Sequence, residues 1–360
     1  MLLLFIINFT LPGVINQGDR IFYTDARSLG LGGITVVLEN GDNPGSSGLV
    51  NRISLMSSGA VSSFNEKRGL RVYDSYGNNI GISTLSNNTF VDVSLATSSI
   101  IIPFKFLRIG LKHQPVWHFN YSYRYVQRDD FYQITKTIDD DYTGIIYALV
   151  PVLGFTYKFI NIGIEERFFY GKNSRTYRVI FPTAPDSSIS SEAQYNGSTT
   201  KIGAILVPSI HFRVSYFYTF KYTLESDNTG DFSYPDVHSF GLFYQPPGRI
   251  PTRFMCEFNY ENWNEPLFIY RFGVEHTILN SYALRYGFCL FPDYKQTAVW
   301  STILTFGMGM KTDRFFIDLG FGYGKRDYLH SDFSGLDVGD YNLKFDETSG
   351  HFVFSSGITF

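Results

Sequence analysis

The sequence predicts an all-β protein, a transmembrane antiparallel β-barrel of about 14 strands, and three observations predict this fold. Aromatic residues make up 18% of the 360 residues, a share that suits a surface with aromatic girdles at two membrane interfaces. Apolar and polar residues alternate with a period of two through most of the chain. The chain ends in an alternating strand whose last residue is Phe360. A closed barrel accounts for all three, because it leaves no sheet edge in the bilayer.

The chain begins with an apolar run. Residues 1–7 resemble the core of a signal peptide, and Gly18 lies near a suitable cleavage point, so we predict a signal peptide over residues 1–18. The run has no preceding Lys or Arg and no Ala-x-Ala site, and a short buried strand or helix is the alternative. No later stretch contains about 18 apolar residues, which excludes a bundle of membrane helices. We place the barrel at residues 53–360.

Three segments show the alternation most clearly: residues 119–125, 212–222 and 315–323. In each, one parity is aromatic or aliphatic and the other is mostly polar, as in a strand with two different faces. We expect the aromatic faces to point toward lipid. Further candidate strands of about ten residues bring the total to about 14 to 16; they lie near 53–64, 69–82, 89–98, 104–114, 144–159, 161–171, 200–209, 237–245, 252–262, 267–277, 281–291 and 299–310.

Connections between these segments come in two sizes. Short ones with turn-forming residues lie near 160, 245–248, 279 and 312, and long polar ones, which we predict as external loops, occupy 127–143, 171–199, 223–236 and 325–349. Short turns on one side and long loops on the other are typical of outer-membrane barrels. A soluble β-sandwich is the alternative, but it would turn many tyrosines inward, where their hydroxyls need partners. The pattern therefore favours a barrel.

The C-terminal segment has one apolar face. Phe352, Phe354, Ile358 and Phe360 share a parity, which predicts a last strand that closes the sheet against the first. The terminal Phe resembles the signal that the barrel-insertion machinery of the bacterial outer membrane reads. We therefore expect an outer-membrane location, with membrane lipid and that machinery as partners.

Three further segments carry a resemblance. Asp25 to Leu38 contains an Ala-Arg pair followed by Gly-x-Gly-Gly; residues 254–263 combine an acidic residue, Tyr and Trp; and residues 272–288 contain Gly-x-Glu and a return strand with Leu-Arg-x-Gly. Together they are similar to the FadL-like outer-membrane transport family, which includes the FadL fatty-acid transporters and the PorV-type barrels.

The resemblance implies an N-terminal plug inside the barrel, which we assign to residues 19–52. Its residues would include Ala26, Arg27, Gly30, Gly32 and Gly33. The family continues with an acidic residue and Asn-Pro-Ala. Here Asp42 is followed by Asn-Pro-Gly, and further on Asn51 takes the place of the motif's Asn while Arg52 replaces its Pro.

Four charged residues share the parity opposite to Phe254 and Phe258: Glu257, Arg271, Glu275 and Arg285. If the aromatic residues face lipid, these four face the lumen, where unlike charges on adjacent strands can pair. They would either line a polar passage or form an ionic lattice that stabilises the barrel, and we favour the lattice.

Other chemistry has little support. The seven histidines are scattered singly, so we expect no catalytic residues, no cofactor and no enzyme activity. The acidic run 139–141 lacks the spacing of a calcium loop, so we expect no metal site. Lys and Arg are dispersed over a chain of net charge −3, which argues against nucleic acid as a partner. Cys256 and Cys289 would form a disulfide or remain two buried thiols.

The resemblance implies passive uptake of a hydrophobic small molecule, such as a long-chain fatty acid, caught by external loops and released through a wall opening or past a shifted plug. Phe131, Tyr132, Tyr177 and Phe181 are candidates for capture. The alternative is a PorV-like accessory barrel that binds secreted cargo proteins in a secretion or surface-attachment system. A plain diffusion pore fits less well, because porins usually have a more charged lumen.

Overall fold

The computed structural model describes residues 18–228, 230–293, 297–331 and 342–360. A single antiparallel sheet closes on itself in this part of the chain, which confirms the predicted barrel. Three crossings of this wall are each built from two shorter strands, so the wall has fourteen crossings.

The wall strands follow one another along the chain. They are β2 (Ser54–Tyr73), β3 (Asn79–Phe104), β4 (Leu107–His118), β5 (Tyr121–Arg128), β6 (Ile134–Tyr157), β7 (Ile160–Ile180), β8 (Ser187–Ser209), β9 (Phe212–Thr219), β10 (Tyr222–Ser226), β11 (Phe232–Tyr234), β12 (Val237–Tyr244), β13 (Thr252–Glu261), β14 (Leu267–Ile278), β15 (Tyr282–Pro292), β16 (Trp300–Lys311), β17 (Phe315–Ser331) and β18 (Asn342–Thr359). Before them come β1 (Asp19–Arg20), helix α1 (Ala26–Gly30) and a 3-10 helix, η1 (Pro44–Leu49). The interrupted crossings are β4 with β5, which both pair with β6; β9 with β10, which both pair with β8; and β11 with β12, which pair with β10, β9 and β13.

The predicted long loops are wrong for most of their described residues, which belong to strands. Residue 229 and residues 332–341 of these loops lie outside the described residues. β6 already begins at Ile134, β7 continues to Ile180 and β8 begins at Ser187, so segments expected as loops are strands that pair with each other. Segment 69–82, expected as a strand of its own, contains the end of β2, a turn over residues 74–78 and the start of β3. These segments are rich in Ser, Thr and Tyr and can pair above the membrane, where a polar outer face meets water.

The outer face of the wall is apolar on the side of the short turns, such as the turn between β6 and β7. On β7 the outward residues Ile162, Ile164, Phe168 and Tyr170 are each exposed by more than 40%, whereas their neighbours point inward and are buried. A closed barrel with such a belt is the arrangement of transmembrane β-barrels.

Two of the predicted lipid-facing aromatic rows do not follow the prediction. On β5, Tyr121 and Tyr123 point into the lumen and are 2% and 1% exposed. The 212–222 row faces outward only as far as Phe220, where the strand is interrupted, and Tyr222 then faces inward against Phe169. In the second row the break after Thr219 shifts the parity of the following residues, so that row changes face. In the first row Phe119, Tyr121 and Tyr123 are all buried, and no change of face occurs among them.

The last strand closes the barrel against the first. β18 pairs with β2 from Thr359 opposite Ser54 to Lys344 opposite Gly69. Phe354, Ile358 and Phe360 lie exposed on its outer face, and Phe352 packs beside Phe321 with ring centroids 5.0 Å apart.

The segment before β2 lies inside the ring of strands. α1 packs against β15 to β18, and η1 packs against β4, β6, β7 and β8. Most residues from 22 to 50 are buried. The expected signal peptide, apart from Gly18, lies outside the described residues. None of the helices in the described ranges is long and apolar enough to cross a membrane.

The two cysteines do not pair. Cys289 is buried on the lumen side of β15, opposite Arg271, and Cys256 is on β13 next to the inward residue Glu257 and therefore points outward. Both are free thiols, and their strands are separated by β14.

Candidate functional site

Helix α1 seats the first part of the N-terminal segment. Asp25 caps it, its Oδ1 accepting the Ser28 amide at 2.8 Å. Ala26 is fully buried, and its amide donates to Ser355 Oγ on the last strand at 2.8 Å. The structure thus places Ala26 and its helix against the C-terminal part of the wall.

The glycines after α1 let the chain turn close to the wall. Gly32 and Gly33 have φ values of +72° and +79°, which favour glycine. The Gly32 amide donates to Thr305 Oγ1 at 2.9 Å, and a Cβ on Gly30 would lie 2.9 Å from Gly307 Cα.

The wall has glycines of its own where the segment touches it. A Cβ on Gly320 would lie 2.5 Å from the Ala26 carbonyl oxygen, and one on Gly287 would lie 2.6 Å from the Gly32 nitrogen. Real Cβ contacts are not this close, so the inner wall is shaped to the segment that fills it.

Glu275 on β14 is the centre of one buried ionic group. Its oxygens accept from Arg27 Nε and Nη2 at 3.0 and 2.9 Å and from Arg285 Nε at 2.6 Å, and they also bond Arg253. Arg285 reaches Asp318 as well. Two predicted lumen residues therefore lie together, and they hold Arg27 of the N-terminal segment.

Glu257 and Arg271 form the second predicted pair, on β13 and β14. Glu257 Oε2 also accepts the amides of Thr35 and Val36 at 2.7 and 3.0 Å. These contacts fill the lumen with paired charges and bound backbone, as in the ionic-lattice interpretation, and the lattice extends to the N-terminal segment.

A third ionic group was missed by the sequence reasoning. Asp42 bonds Arg167 on β7 and Lys201 on β8, and Lys201 Nζ lies 2.7 Å from Asp42 Oδ2. Lys112 on β4 donates to the Gly41 carbonyl at 2.7 Å. Charged residues on the inward parity of adjacent strands were the available signal, as for Glu257 and Arg271.

Burial alone would raise the pKa of the Asp42 carboxyl, but the charges of Arg167 and Lys201 outweigh it and hold the pKa well below its usual range. A carboxyl with a depressed pKa stabilises the fold above its unfolded pKa, and this contribution is lost as the pH falls.

We therefore expect Asp42→Asn to lower the unfolding midpoint by several degrees at neutral pH. The deficit relative to the native protein should stay constant from about pH 5 to 8 and shrink below about pH 4. Thermal gel-shift midpoints measured across this range test it. Asp327→Asn, at an exposed carboxyl, is the control. An equal deficit at pH 3 and pH 7 would contradict the role of this ion pair.

Asn43, rather than Asn51, lies at the buried turn after the glycines. It is fully buried and caps η1, with its Oδ1 accepting the Gly45 amide at 2.9 Å. Its Nδ2 donates to the carbonyls of Ala204 and Tyr216 at 3.2 and 3.3 Å. Asn51 is exposed, just before β2. The structure therefore brings the predicted residues of 26–33 together and leaves Asn51 apart.

The seam between β3 and β4 is incomplete. β3 and β4 pair only as far as Ser98 opposite His113. Farther from the turn that joins β3 to β4, β1 pairs with β4 instead. There the Thr97 amide of β3 donates to the Thr24 carbonyl of the N-terminal segment at 3.4 Å. Still farther from that turn, the side chains of Asn120 and Asp92 bond each other and join β3 to the β4–β5 crossing. The N-terminal segment thus fills a gap in the backbone ladder.

Aromatic rings line the lumen beside this seam. We call Trp117, Phe169, Tyr222, Tyr234 and Trp263 the aromatic box. Ring centroids are 4.7 Å apart for Phe169 and Tyr222, 5.1 Å for Tyr222 and Tyr234, 5.5 Å for Trp117 and Tyr234, and 5.0 Å for Tyr234 and Trp263. A cavity of about 140 Å³ reaches from four of these rings to Thr24 and Thr97 at the seam. This cavity is the candidate site.

The aromatic residues predicted for capture lie elsewhere. Phe131 and Tyr132 are each 83% exposed in the turn between β5 and β6, and Phe181 lies after β7. Tyr177 is half-buried against Tyr121, Tyr123 and Tyr142. The sequence missed the aromatic box because its members come from four different strands and, for Trp263, from the connection between β13 and β14.

The acidic run 139–141 lies on β6, so its side chains point to alternate faces. Asp140 accepts from Arg175 Nε at 3.1 Å, and Asp139 from Arg124 Nε at 2.8 Å. Among the described residues, no group of three or more His, Cys, Asp or Glu side chains could hold a metal ion.

The fold is that of FadL-type outer-membrane barrels. A FadL homologue from Pseudomonas aeruginosa matches 95% of this chain and 99% of its own, with 12% identity and a TM-score of 0.66. The toluene transporter TodX of P. putida matches 96% of this chain and 99% of its own, at 12% identity and a TM-score of 0.61. The Ralstonia pickettii toluene transporter TbuX matches 92% of this chain and 98% of its own, at 10% identity and a TM-score of 0.54. No protein-family model and no curated protein matches the sequence.

Proposed function

We propose that this protein lies in the bacterial outer membrane and mediates passive uptake of hydrophobic small molecules, with long-chain fatty acids among its solutes. The observation that carries the proposal is the aromatic-lined cavity beside an incomplete wall seam. The names of the structural neighbours, a FadL homologue and two toluene transporters, support this class of solute. The proposal includes no catalytic step.

The proposed route runs sideways. An apolar solute enters the cavity, where burial of its surface against aromatic rings is favourable. β1 pairs with β4 opposite Trp117 and His118, and the next residue, Ile21, donates its amide to the Val116 carbonyl at 3.1 Å. Displacing this short segment therefore breaks few backbone bonds. The solute then leaves between β3 and β4 into the lipid.

Deleting residues 20–45 is expected to raise the uptake of hydrophobic solutes severalfold without abolishing the barrel, because this segment fills both the seam and the lumen. Uptake of labelled oleate and labelled toluene into proteoliposomes measures the effect, and heat-dependent gel mobility checks folding. Phe131→Ala, at an exposed turn, is the control. Unchanged uptake of both solutes by a folded deletion variant would refute the route.

One feature favours the second candidate, a PorV-like barrel that binds secreted cargo. Residues 79–97 of β3 pair with β2 alone among the described strands, and their sequence contains one charged residue, Asp92, and no proline. An extended peptide can add to such an edge by displacing the bonds of Asp92 with Asn120 and of Asn88 with the Arg124 amide. Val91→Lys should then weaken cargo binding, with Val72→Lys on β2 as control; hydrophobic uptake without bound cargo would reject this candidate.

A further inference from the structure

The aromatic box already contains a cation. The Arg20 guanidinium carbon lies 5.3 Å from the Tyr234 ring centroid and 5.7 Å from that of Trp117. Its two terminal nitrogens bond the carboxylate of Glu261, with Nη2 and Oε2 3.0 Å apart. Aromatic faces attract cations through their quadrupoles, and desolvation strengthens the attraction.

Glu261 sets the charge of the box. Its side chain is 3% exposed, and Oε2 also accepts the Trp263 indole N–H at 2.8 Å. Within the described ranges Arg20 is the cation paired with this carboxylate, whereas Arg271 pairs with Glu257 and Arg167 with Asp42 and Glu165. Removing Arg20 would leave this buried carboxylate unpaired, at a large cost in free energy that an incoming cation can offset.

Arg20 is the more accessible partner of this ion pair. It belongs to the two-residue strand β1 and is 241 residues away in sequence from Glu261. Its side chain is 24% exposed, far more than that of Glu261. The cavity of about 140 Å³ adjoins both side chains, which leaves room for an incoming group.

We propose that the aromatic box and Glu261 form a binding site for hydrophobic organic cations, and that Arg20 is its internal occupant. A quaternary or protonated amine with an apolar body would place its charge where the guanidinium lies and its body in the cavity. Access of a cation to this site from outside the cell rests on the uptake role proposed above. Binding of the cation to the purified protein does not depend on transport. It adds a charged class of solute to the neutral ones.

The test compares two probes of the same shape: phenyltrimethylammonium and its neutral isostere tert-butylbenzene. Calorimetric titration of purified protein in nonionic detergent measures both. Arg20→Ala should bind the cation about tenfold more tightly than the native protein, because the internal competitor is gone. The same variant should prefer the cation to the isostere, and adding Glu261→Gln should remove that preference.

Equal affinities of Arg20→Ala for the two probes, or a preference that survives Glu261→Gln, would overturn the proposal. Heat-dependent gel mobility verifies folding, and if Arg20→Ala does not fold, the same comparison with Arg20→Gln, which keeps most of the side-chain volume, decides. Oleate uptake by the native protein separates the two proposals. Uptake without cation preference rejects the cation site alone, and cation preference without uptake rejects the transport role alone.

Discussion

Replacing Glu275 by glutamine is expected to destabilise the folded protein by about 3–5 kcal/mol, the usual cost of removing one partner from a buried ion pair. Glu275 is 1% exposed and holds Arg27, Arg253 and Arg285. Glutamine keeps the shape but leaves these guanidinium groups facing a neutral amide. Arg27 would lose its anchor, so helix α1 should detach from the wall more readily.

The free energy of unfolding in urea, followed by gel mobility in lipid vesicles, measures the loss, and Glu192→Gln is the matched control. Glu192 is 49% exposed and pairs with Lys172, so its loss should cost less than about 1 kcal/mol. Equal effects of the two substitutions would show that the buried group contributes no more than a surface pair.

Replacing Gly320 by leucine is expected to displace α1 and to raise the permeability of the barrel to small polar solutes severalfold. A Cβ at this position would meet the Ala26 carbonyl oxygen at 2.5 Å and Leu29 Cβ at 3.1 Å, both belonging to the N-terminal segment. Overpacking of this kind typically costs about 1–3 kcal/mol. Movement of the N-terminal segment away from the wall would remove the steric clash.

Gly59→Leu is the control, because a Cβ on Gly59 has no heavy atom within 4 Å. Both substitutions put the same side chain into a wall strand, so a difference between them reports the lumen contact. Swelling rates of proteoliposomes in arabinose measure permeability. A Gly320→Leu barrel as tight as the Gly59→Leu barrel would mean that α1 does not restrict the passage.

Much of the fold could be predicted from the sequence because parity is a local property of a strand. Phe354 and Ile358 lie on the outer face because a period of two sets opposite neighbours on opposite faces. The inward positions of Glu257 and Arg271 follow from the same rule. The match of the whole wall to FadL-type barrels confirms the resemblance at the level of the fold.

The rest depended on information that parity does not contain. Tyr121 and Tyr123 face inward because the outer side of β5 carries Ser122 and the exposed Arg124, which suit water better than lipid. Position in the sequence does not distinguish Asn43 from Asn51 as the Asn of the family motif, whereas contacts with the carbonyls of Ala204 and Tyr216 place Asn43 at the buried turn. The aromatic box joins residues that are far apart in the chain, and only the pairing of strands brings them together.

The bond between Ala26 and Ser355 has a consequence for assembly, since it joins residues 329 positions apart. Ser355 belongs to the last strand, which also pairs with β2 to complete the wall. The socket for α1 is therefore unfinished until the C-terminal strand arrives, although α1 itself is made first. Contacts of such long sequence separation form slowly. The N-terminal segment therefore stays undocked until the last strand is inserted. That insertion closes the barrel and completes the docking site of α1 together.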